Sequence, residues 1–394
     1  MKIPKSLLMA EIVLLGMFAP ISTDMFLPAL NEMVVHYGTT ETMMGMTLYL
    51  FMFAMAVGIL FIGPLSDKYG RRTVLAPCMV MYTVMSIACS VAPTVETLIL
   101  FRILQAVGSG GALAISFALV RDCFKGPDMS RMLAIMSAAG VLGPVLAPVI
   151  GTALIESMGW ASTFWAPAVV SCVCLAIGLM IDPSIPEERY TGSITGAVAS
   201  MKPLLVNGDF RRFTVMMTVP ALCILGYVGS SSYIYQEMFG VDRAMYSGFL
   251  AAAMILGVIG MSVISRFRGR MSNWTVLIVF MVLIGASTLM IPTVGRLNEY
   301  MFFLSMIPML VAGSSVRAIG FDIIMSQDVG NSGAISSVIN FLNYMFCTLG
   351  LLLTSMPWGN FIDGVAACMV LGFALYLVLW IRMRVRGTTV AGFQ

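Results

Sequence analysis

The chain has 394 residues, 59% of them hydrophobic and only 10% charged, with a formal net charge of +3. A soluble domain carries about 25% charged residues, so a chain of this size and composition cannot cover itself in water, and soluble enzyme-like folds are excluded. A bilayer accepts apolar surface but leaves no backbone group unpaired, so the long apolar stretches are expected to be helices.

Lys2 and Lys5 precede a first apolar run that is too long, and too polar at its far end, for a cleaved signal; it is read as a retained first helix. With about 20 apolar residues needed per crossing, spans are predicted near 6–28, 42–63, 73–92, 97–119, 132–155, 160–181, 211–235, 247–265, 274–292, 300–321, 333–355 and 360–381. An even number places both ends on one side. The basic residues around the inner loops, among them Lys68, Arg71, Arg72, Arg121, Lys125, Arg131, Arg189, Arg211, Arg212, Arg266, Arg268, Arg270, Arg382, Arg384 and Arg386, share a face with the N terminus, and only Arg243 and Arg296 fall opposite. That asymmetry predicts cytoplasmic termini, and because it explains the basic loops, no nucleic-acid role is expected of them. The eight cysteines lie mostly in apolar segments, without a disulfide framework or zinc-type spacing. His36 stands alone in a predicted outer loop.

In the first span, Ser22-Thr23-Asp24-Met25-Phe26-Leu27-Pro28-Ala29-Leu30 puts a carboxylate about four residues inside the predicted outer end. Pro28 removes the amide that would bond the Asp24 carbonyl and so loosens the helix beside the acid. The loop after the second span reads Gly63-Pro64-Leu65-Ser66-Asp67-Lys68-Tyr69-Gly70-Arg71-Arg72. Its glycines permit a tight turn and close helix approach, and Asp67 can meet the positive N terminus of a partner helix. A merely topogenic loop needs neither. Gly269 and Arg270 echo this loop in the second half, with Arg266 in the place of Asp67.

The fourth span contains Arg102-Ile103-Leu104-Gln105, followed by a close-packing stretch, Gly108-Ser109-Gly110-Gly111. An arginine at the membrane centre costs about 2.5–3.5 kcal/mol on insertion scales, so it is normally paired, wet or functional. Arg102 lies at a depth similar to Asp24, and two isolated opposite charges in one half of the bilayer are most economically neighbours. A hydrated helix-end Asp24 and an outward-snorkelling Arg102 are the plainer alternatives. The fifth span carries Gly140-Val141-Leu142-Gly143-Pro144-Val145-Leu146-Ala147-Pro148-Val149-Ile150-Gly151. Its small residues and prolines predict a kinked helix packed closely on a neighbour. A polar stretch over 182–210, with Pro183, Pro186, Glu187 and Glu188, divides the chain into halves 1–181 and 211–394. Tyr49, Gln105, Tyr233, Gln236, Asn340, Asn343 and Tyr344 are candidate cavity residues, although hydrogen bonding between helices explains them equally well. The 36 methionines suit varied apolar ligands, or simple packing.

The loop matches the major facilitator pattern at every fixed position. With the Ser22–Leu30 segment, the Arg102–Gln105 set, Val120-Arg121-Asp122 and the Leu146–Gly151 run, the chain resembles the Bcr/CflA (bicyclomycin-resistance type) subfamily of drug:proton antiporters in the major facilitator superfamily. These motifs cover the first half only. Ala106, Ala139 and Ala147-Pro148 depart from the family's glycines.

The resemblance implies an all-α membrane protein of twelve transmembrane helices in two six-helix bundles that work by alternating access. It implies proton or substrate coupling at Asp24, proton linkage at Arg102, and gating by Gly63, Asp67, Gly70, Arg71 and Arg72. Asp67 is then expected to latch onto the eleventh span near Gly330-Asn331-Ser332-Gly333. An antiporter role falls to Gly143, Pro144, Pro148 and Gly151. The first, fourth, seventh and tenth spans are expected to line the cavity, so Glu11 and Arg317 are a candidate inner gate, with Asp322 close by. The expected function is proton-driven export of small amphipathic molecules by a monomer in the inner membrane. Its partners are then substrate, protons and lipid, with no metal or cofactor. A specific-metabolite transporter on the same fold is the first alternative, and a non-transporting sensor or scaffold the second. An enzyme is not expected.

Overall fold

The structure, a computed structural model, describes residues 3–182, 184–186, 189–199, 206–325, 332–388, 390 and 393. It contains no strand among the described residues. Two compact units divide the chain, Met1–Ala199 and Ser200–Gln394. Among the described residues, eleven helical runs are long and apolar enough to cross a membrane, and an apolar helix of 17 residues is a shorter twelfth.

The first unit comprises α1 (Lys5–Asp24), a 3-10 turn (Leu27–Ala29), α2 (Leu30–Tyr37), α3 (Glu41–Tyr69), α4 (Arg71–Ser90), α5 (Val95–Cys123), α6 (Gly126–Met158), α7 (Ser162–Gly178) and the short α8 (Ile194–Ala199). The first crossing does not end near residue 28 as expected. The apolar run continues through the break at 25–29 to Tyr37, giving 33 residues in all, because Leu30 and Met33 of α2 still find buried places. Asp24 is therefore an internal residue at a helix break rather than a helix-end one. His36 belongs to the last turn of α2, its ring 5.1 Å from that of Trp160, and not to a loop. Pro28 sits in the 3-10 turn. It has no N–H to return to the Asp24 carbonyl, and α1 stops at that residue.

α5 is the packing centre of this unit. A side-chain carbon at Gly108 would lie 2.7 Å from the Cys78 carbonyl oxygen of α4, and one at Gly110 the same distance from the Met55 carbonyl oxygen of α3. The glycine stretch thus brings backbones together, as in small-residue membrane contacts generally.

The second unit comprises α9 (Gly208–Thr218), α10 (Pro220–Ser232) with a π-helical turn (Tyr233–Met238), α11 (Arg243–Phe267), α12 (Asn273–Met290), α13 (Glu299–Met325), α14 (Ser332–Thr354) and α15 (Phe361–Arg386). The predicted seventh crossing is split at Val219, where Pro220 opens a new helix at a position that needs no amide. Its core is aromatic: Tyr235 stacks on Phe249 at 4.9 Å and meets Phe302 edge-on at 5.5 Å. Past α15, Phe393 packs 5.3 Å from Phe213 and 5.2 Å from Trp274, whose indole N–H donates to the Phe393 carbonyl at 3.2 Å.

Candidate functional site

The break in the first crossing is where the buried polar groups of the first unit gather. Arg102 of α5 is only 1% exposed. Its Nη1 donates to the Ser22 carbonyl of α1 at 2.9 Å and to Gln105 Oε1 at 2.7 Å, and its Nε donates to the Thr47 carbonyl of α3 at 3.4 Å. Three rings surround the guanidinium, Phe51 at 4.1 Å, Phe26 at 4.7 Å and Phe164 of α7 at 5.9 Å. Such rings attract a cation through their quadrupole when water is excluded. Nη2 has no hydrogen-bond partner in the structure.

Gln105 passes the network on, its Nε2 donating to Ser86 Oγ of α4 at 2.6 Å. One turn away on α4, Tyr82 shares a hydrogen bond of 2.6 Å with Ser22 Oγ and sets its ring edge-on to Phe18 at 4.7 Å. Gln105 thus bonds between helices, the second of the two readings the sequence left open for it. Snorkelling of Arg102 is ruled out by the same contacts.

Asp24 is 8% exposed, and the Thr23 hydroxyl donates to its Oδ1 at 2.9 Å. The expected ion pair with Arg102 is not formed: no salt bridge joins them among the described residues. Arg102 instead holds the residues on either side of the acid, the Ser22 carbonyl two positions before it and the Phe26 ring two positions after. The physical reason is directional. α1 ends at Asp24, which leaves carbonyl oxygens at the helix end without intrahelical donors, and the Ser22 oxygen is one of them.

α6 closes this region from outside. A side-chain carbon at Gly143 would come 2.6 Å from the Pro20 ring of α1, and one at Gly151 would collide with the Met25 carbonyl oxygen. The candidate antiporter motif is thus the surface against which the broken part of the first crossing rests. Pro148 is buried and Pro144 half-buried on the same helix.

The loop motif forms a second cluster at the end of the unit near the N terminus. Arg71, 2% exposed, donates to Asp122 Oδ2 at 2.7 Å and to Ser66 Oγ at 2.6 Å, and pairs with Asp67 one turn earlier. Gly70 carries the chain from α3 to α4 with φ +97°, a conformation that side-chain-bearing residues rarely adopt. Gly63, by contrast, has open space around it and makes no close approach, so that part of the expectation fails. Arg72 is half-buried and bonds none of the cluster's carboxylates.

Residues of the polar stretch expected to divide the halves bond to this loop. Tyr190 N donates to the Asp67 carbonyl at 3.1 Å, Arg71 N to the Ile185 carbonyl at 3.1 Å, and Lys68 Nζ to the Gly192 carbonyl at 3.0 Å. Asp67 therefore faces Arg71 within its own unit, and its expected partner around Gly330-Asn331 lies outside the described residues. Arg71→Ala is expected to lower the thermal unfolding midpoint in detergent markedly, because it leaves two carboxylates without their cation, at a cost of about 3 kcal/mol. An unchanged midpoint would show that the cluster contributes nothing to the fold.

Glu11 was expected to face Arg317. The side chain of Arg317 and that of Asp322 lie outside the described residues, while the Glu11 carboxyl is enclosed within the first unit beside Cys174 and Gly178 of α7. In the second unit, Tyr233 stacks on Phe361 at 5.2 Å and Gln236 Nε2 donates to Ser232 Oγ at 2.7 Å. Asn340 returns its amide to the Ser336 carbonyl of its own helix at 3.0 Å, and Asn343 lies 3.9 Å from Cys347 Sγ. Tyr344 is buried, and Tyr49 of α3 is half-buried. Ser22, Tyr82, Ser86 and Asp122 are the participants that the sequence did not single out as site residues. Tyr82 and Ser86, four apart on one face of an apolar helix, were the available signal.

The chain matches the family model described as Major Facilitator Superfamily over residues 12–350. It is 26% identical over 376 residues to multidrug resistance protein MdtL of Escherichia coli (strain K12 / DH10B), covering 91% of this chain and 92% of that one. It is 28% identical to the MFS-type transporter YdgK of Bacillus subtilis (strain 168) over 263 residues, 65% of each chain. Among solved structures, the human organic anion transporter MFSD10 superposes with a TM-score of 0.71 at 16% identity, covering 96% of this chain and 99% of that one. The xylose transporter XylE from E. coli does so at 0.71 and 10% identity, covering 96% of each. The eleven long apolar helical runs, the loop motif in its ordered turn and the family match agree: the chain belongs to the major facilitator superfamily, a multi-pass membrane transporter and not an enzyme.

Proposed function

We propose that the chain is a proton-coupled antiporter of the drug:proton type that exports small amphipathic molecules by alternating access, with Asp24 as the acid that exchanges its proton for substrate. The observation that carries this reading is that two opposite charges at one helix break do not pair with each other: Arg102 holds Ser22 and Phe26, while Asp24 between them accepts the neutral Thr23 hydroxyl.

A neutral Asp24 fits that arrangement. Loss of its proton creates a buried anion between the two residues that Arg102 holds, and because a buried charge is costly unless it is paired, the break repacks around it. Protonation and the geometry of the first crossing are thereby coupled, which is what exchange transport requires. The 26% identity to a multidrug resistance protein supports an amphipathic substrate class, and the basic-loop asymmetry supports cytoplasmic termini in the inner membrane. The closed Gly143 and Gly151 contacts of α6 on α1 support a role of that motif in sealing the site.

Everted membrane vesicles containing the protein and energised to be acid inside provide the test. Across a panel of cationic, zwitterionic and neutral amphipathic antimicrobials, addition of a substrate is expected to dissipate part of the proton gradient and to drive its accumulation in the lumen. A panel in which no compound does so, or one whose active compounds move out with protons, overturns the reading.

A further inference from the structure

Glu11 belongs to neither cluster. It lies six residues beyond Lys5 on α1, about 9 Å along the helix at 1.5 Å per residue, and is 0% exposed. Neither carboxyl oxygen has a hydrogen-bond partner in the structure.

The enclosure is shaped for it. The carboxyl lies against Gly178 of α7, where a side-chain carbon would touch Oε1 at an ordinary 3.5 Å and press on Leu75 of α4 at 2.9 Å. Cys174, four residues earlier on the same face of α7, is the titratable group turned toward the acid. Cys78 of α4 directs its sulfur to Gly111 of α5 instead. α6 contributes apolar Met132 and Met136 to the surrounding core. Of the charged groups at this end of the unit, Lys5 pairs with Asp128 and Arg71 with Asp67 and Asp122. Among the described residues, then, no cation pairs with Glu11, and an ionised carboxylate so placed is far costlier than the neutral acid. A glutamine or leucine would fill the same space without that cost.

We propose that Glu11 is a second proton-binding site, distinct from Asp24. It is a neutral carboxylic acid while α1 lies against the Cys174–Gly178 face of α7. When α1 leaves that face, water enters, the carboxyl O–H bond breaks heterolytically, and the proton passes to water to leave the carboxylate. The site takes a proton and no other ligand, and it does not depend on which substrate is carried or on the role given to Asp24.

The test needs no substrate. Infrared spectra of the purified full chain in lipid nanodiscs are expected to contain the carbonyl stretch of a protonated carboxyl at neutral pH, shifted by labelling glutamate with carboxyl-13C. The band persists in Asp24→Asn and disappears in Glu11→Gln. Because Glu11 is the one buried glutamate among the described residues, the labelling arm decides the matter even if Glu11→Gln fails to fold. Absence of a glutamate-dependent band overturns the proposal. Release is read by alkylation of Cys174 with a small maleimide, quantified on its peptide. Alkalinisation should speed the reaction more in the native chain than in Glu11→Gln, since thiol ionisation is common to both; equal acceleration overturns the release step.

Discussion

Asp24→Asn is expected to leave the protein in the membrane at its normal level and to reduce proton-driven accumulation in everted vesicles to that of vesicles lacking it. The amide has the size of the carboxyl and still accepts the Thr23 hydroxyl that Asp24 accepts at 2.9 Å, so the packing around the break has no reason to change. What is lost is the exchangeable proton. Arg102 continues to hold the Ser22 carbonyl, and the break stays in the arrangement suited to a neutral residue whatever the pH. The variant should therefore keep substrate-for-substrate exchange down a concentration gradient while losing its response to pH. Uphill transport that remains pH-dependent would remove Asp24 from the coupling and leave the acid as a structural residue.

That expectation rests on a correction to what the sequence allowed. Depth in the membrane is legible from a sequence, because residues are counted from predicted span ends, and it placed Asp24 and Arg102 in the same layer. The direction of a side chain is not. Arg102 faced two kinds of acceptor, a carboxylate and the carbonyl oxygens at the end of α1, and it takes the carbonyl of Ser22. The end of the first crossing was itself misplaced, because the apolar run continues past the Pro28 break to Tyr37. Glu11 illustrates the same limit. Its helix is apolar on nearly every side, so nothing in the pattern of residues distinguishes the face toward α7 from any other. The composition, the crossings and the loop motif, by contrast, depend on local chemistry and were readable. The Asp67–Arg71 pair was readable too, being four residues apart. The contact of Arg71 with Asp122, 51 residues away, was not.

The glycine pattern of the fifth crossing was readable as a close-packing surface but not as to its partner, and the partner sets the size of the last effect. Gly151→Val is expected to destabilise the protein by about 3 kcal/mol or more, at the upper end of the cost of overpacking. The first atom a side chain meets there is a carbonyl oxygen, that of Met25, with which the added carbon would collide. Unlike a flexible side chain, that oxygen can retreat only if the break between α1 and α2 moves with it, and the break carries Asp24 and the Phe26 ring against Arg102. The variant should thus lose thermal stability and proton-coupled transport together. Gly140→Ala, on the same helix but with open space around it, should match or slightly exceed the native unfolding midpoint, because alanine favours a helix over glycine. Measuring both midpoints in detergent separates the close approach from a general intolerance of α6 to substitution. Equal midpoints for the two variants would show that α6 does not touch the first crossing at Met25.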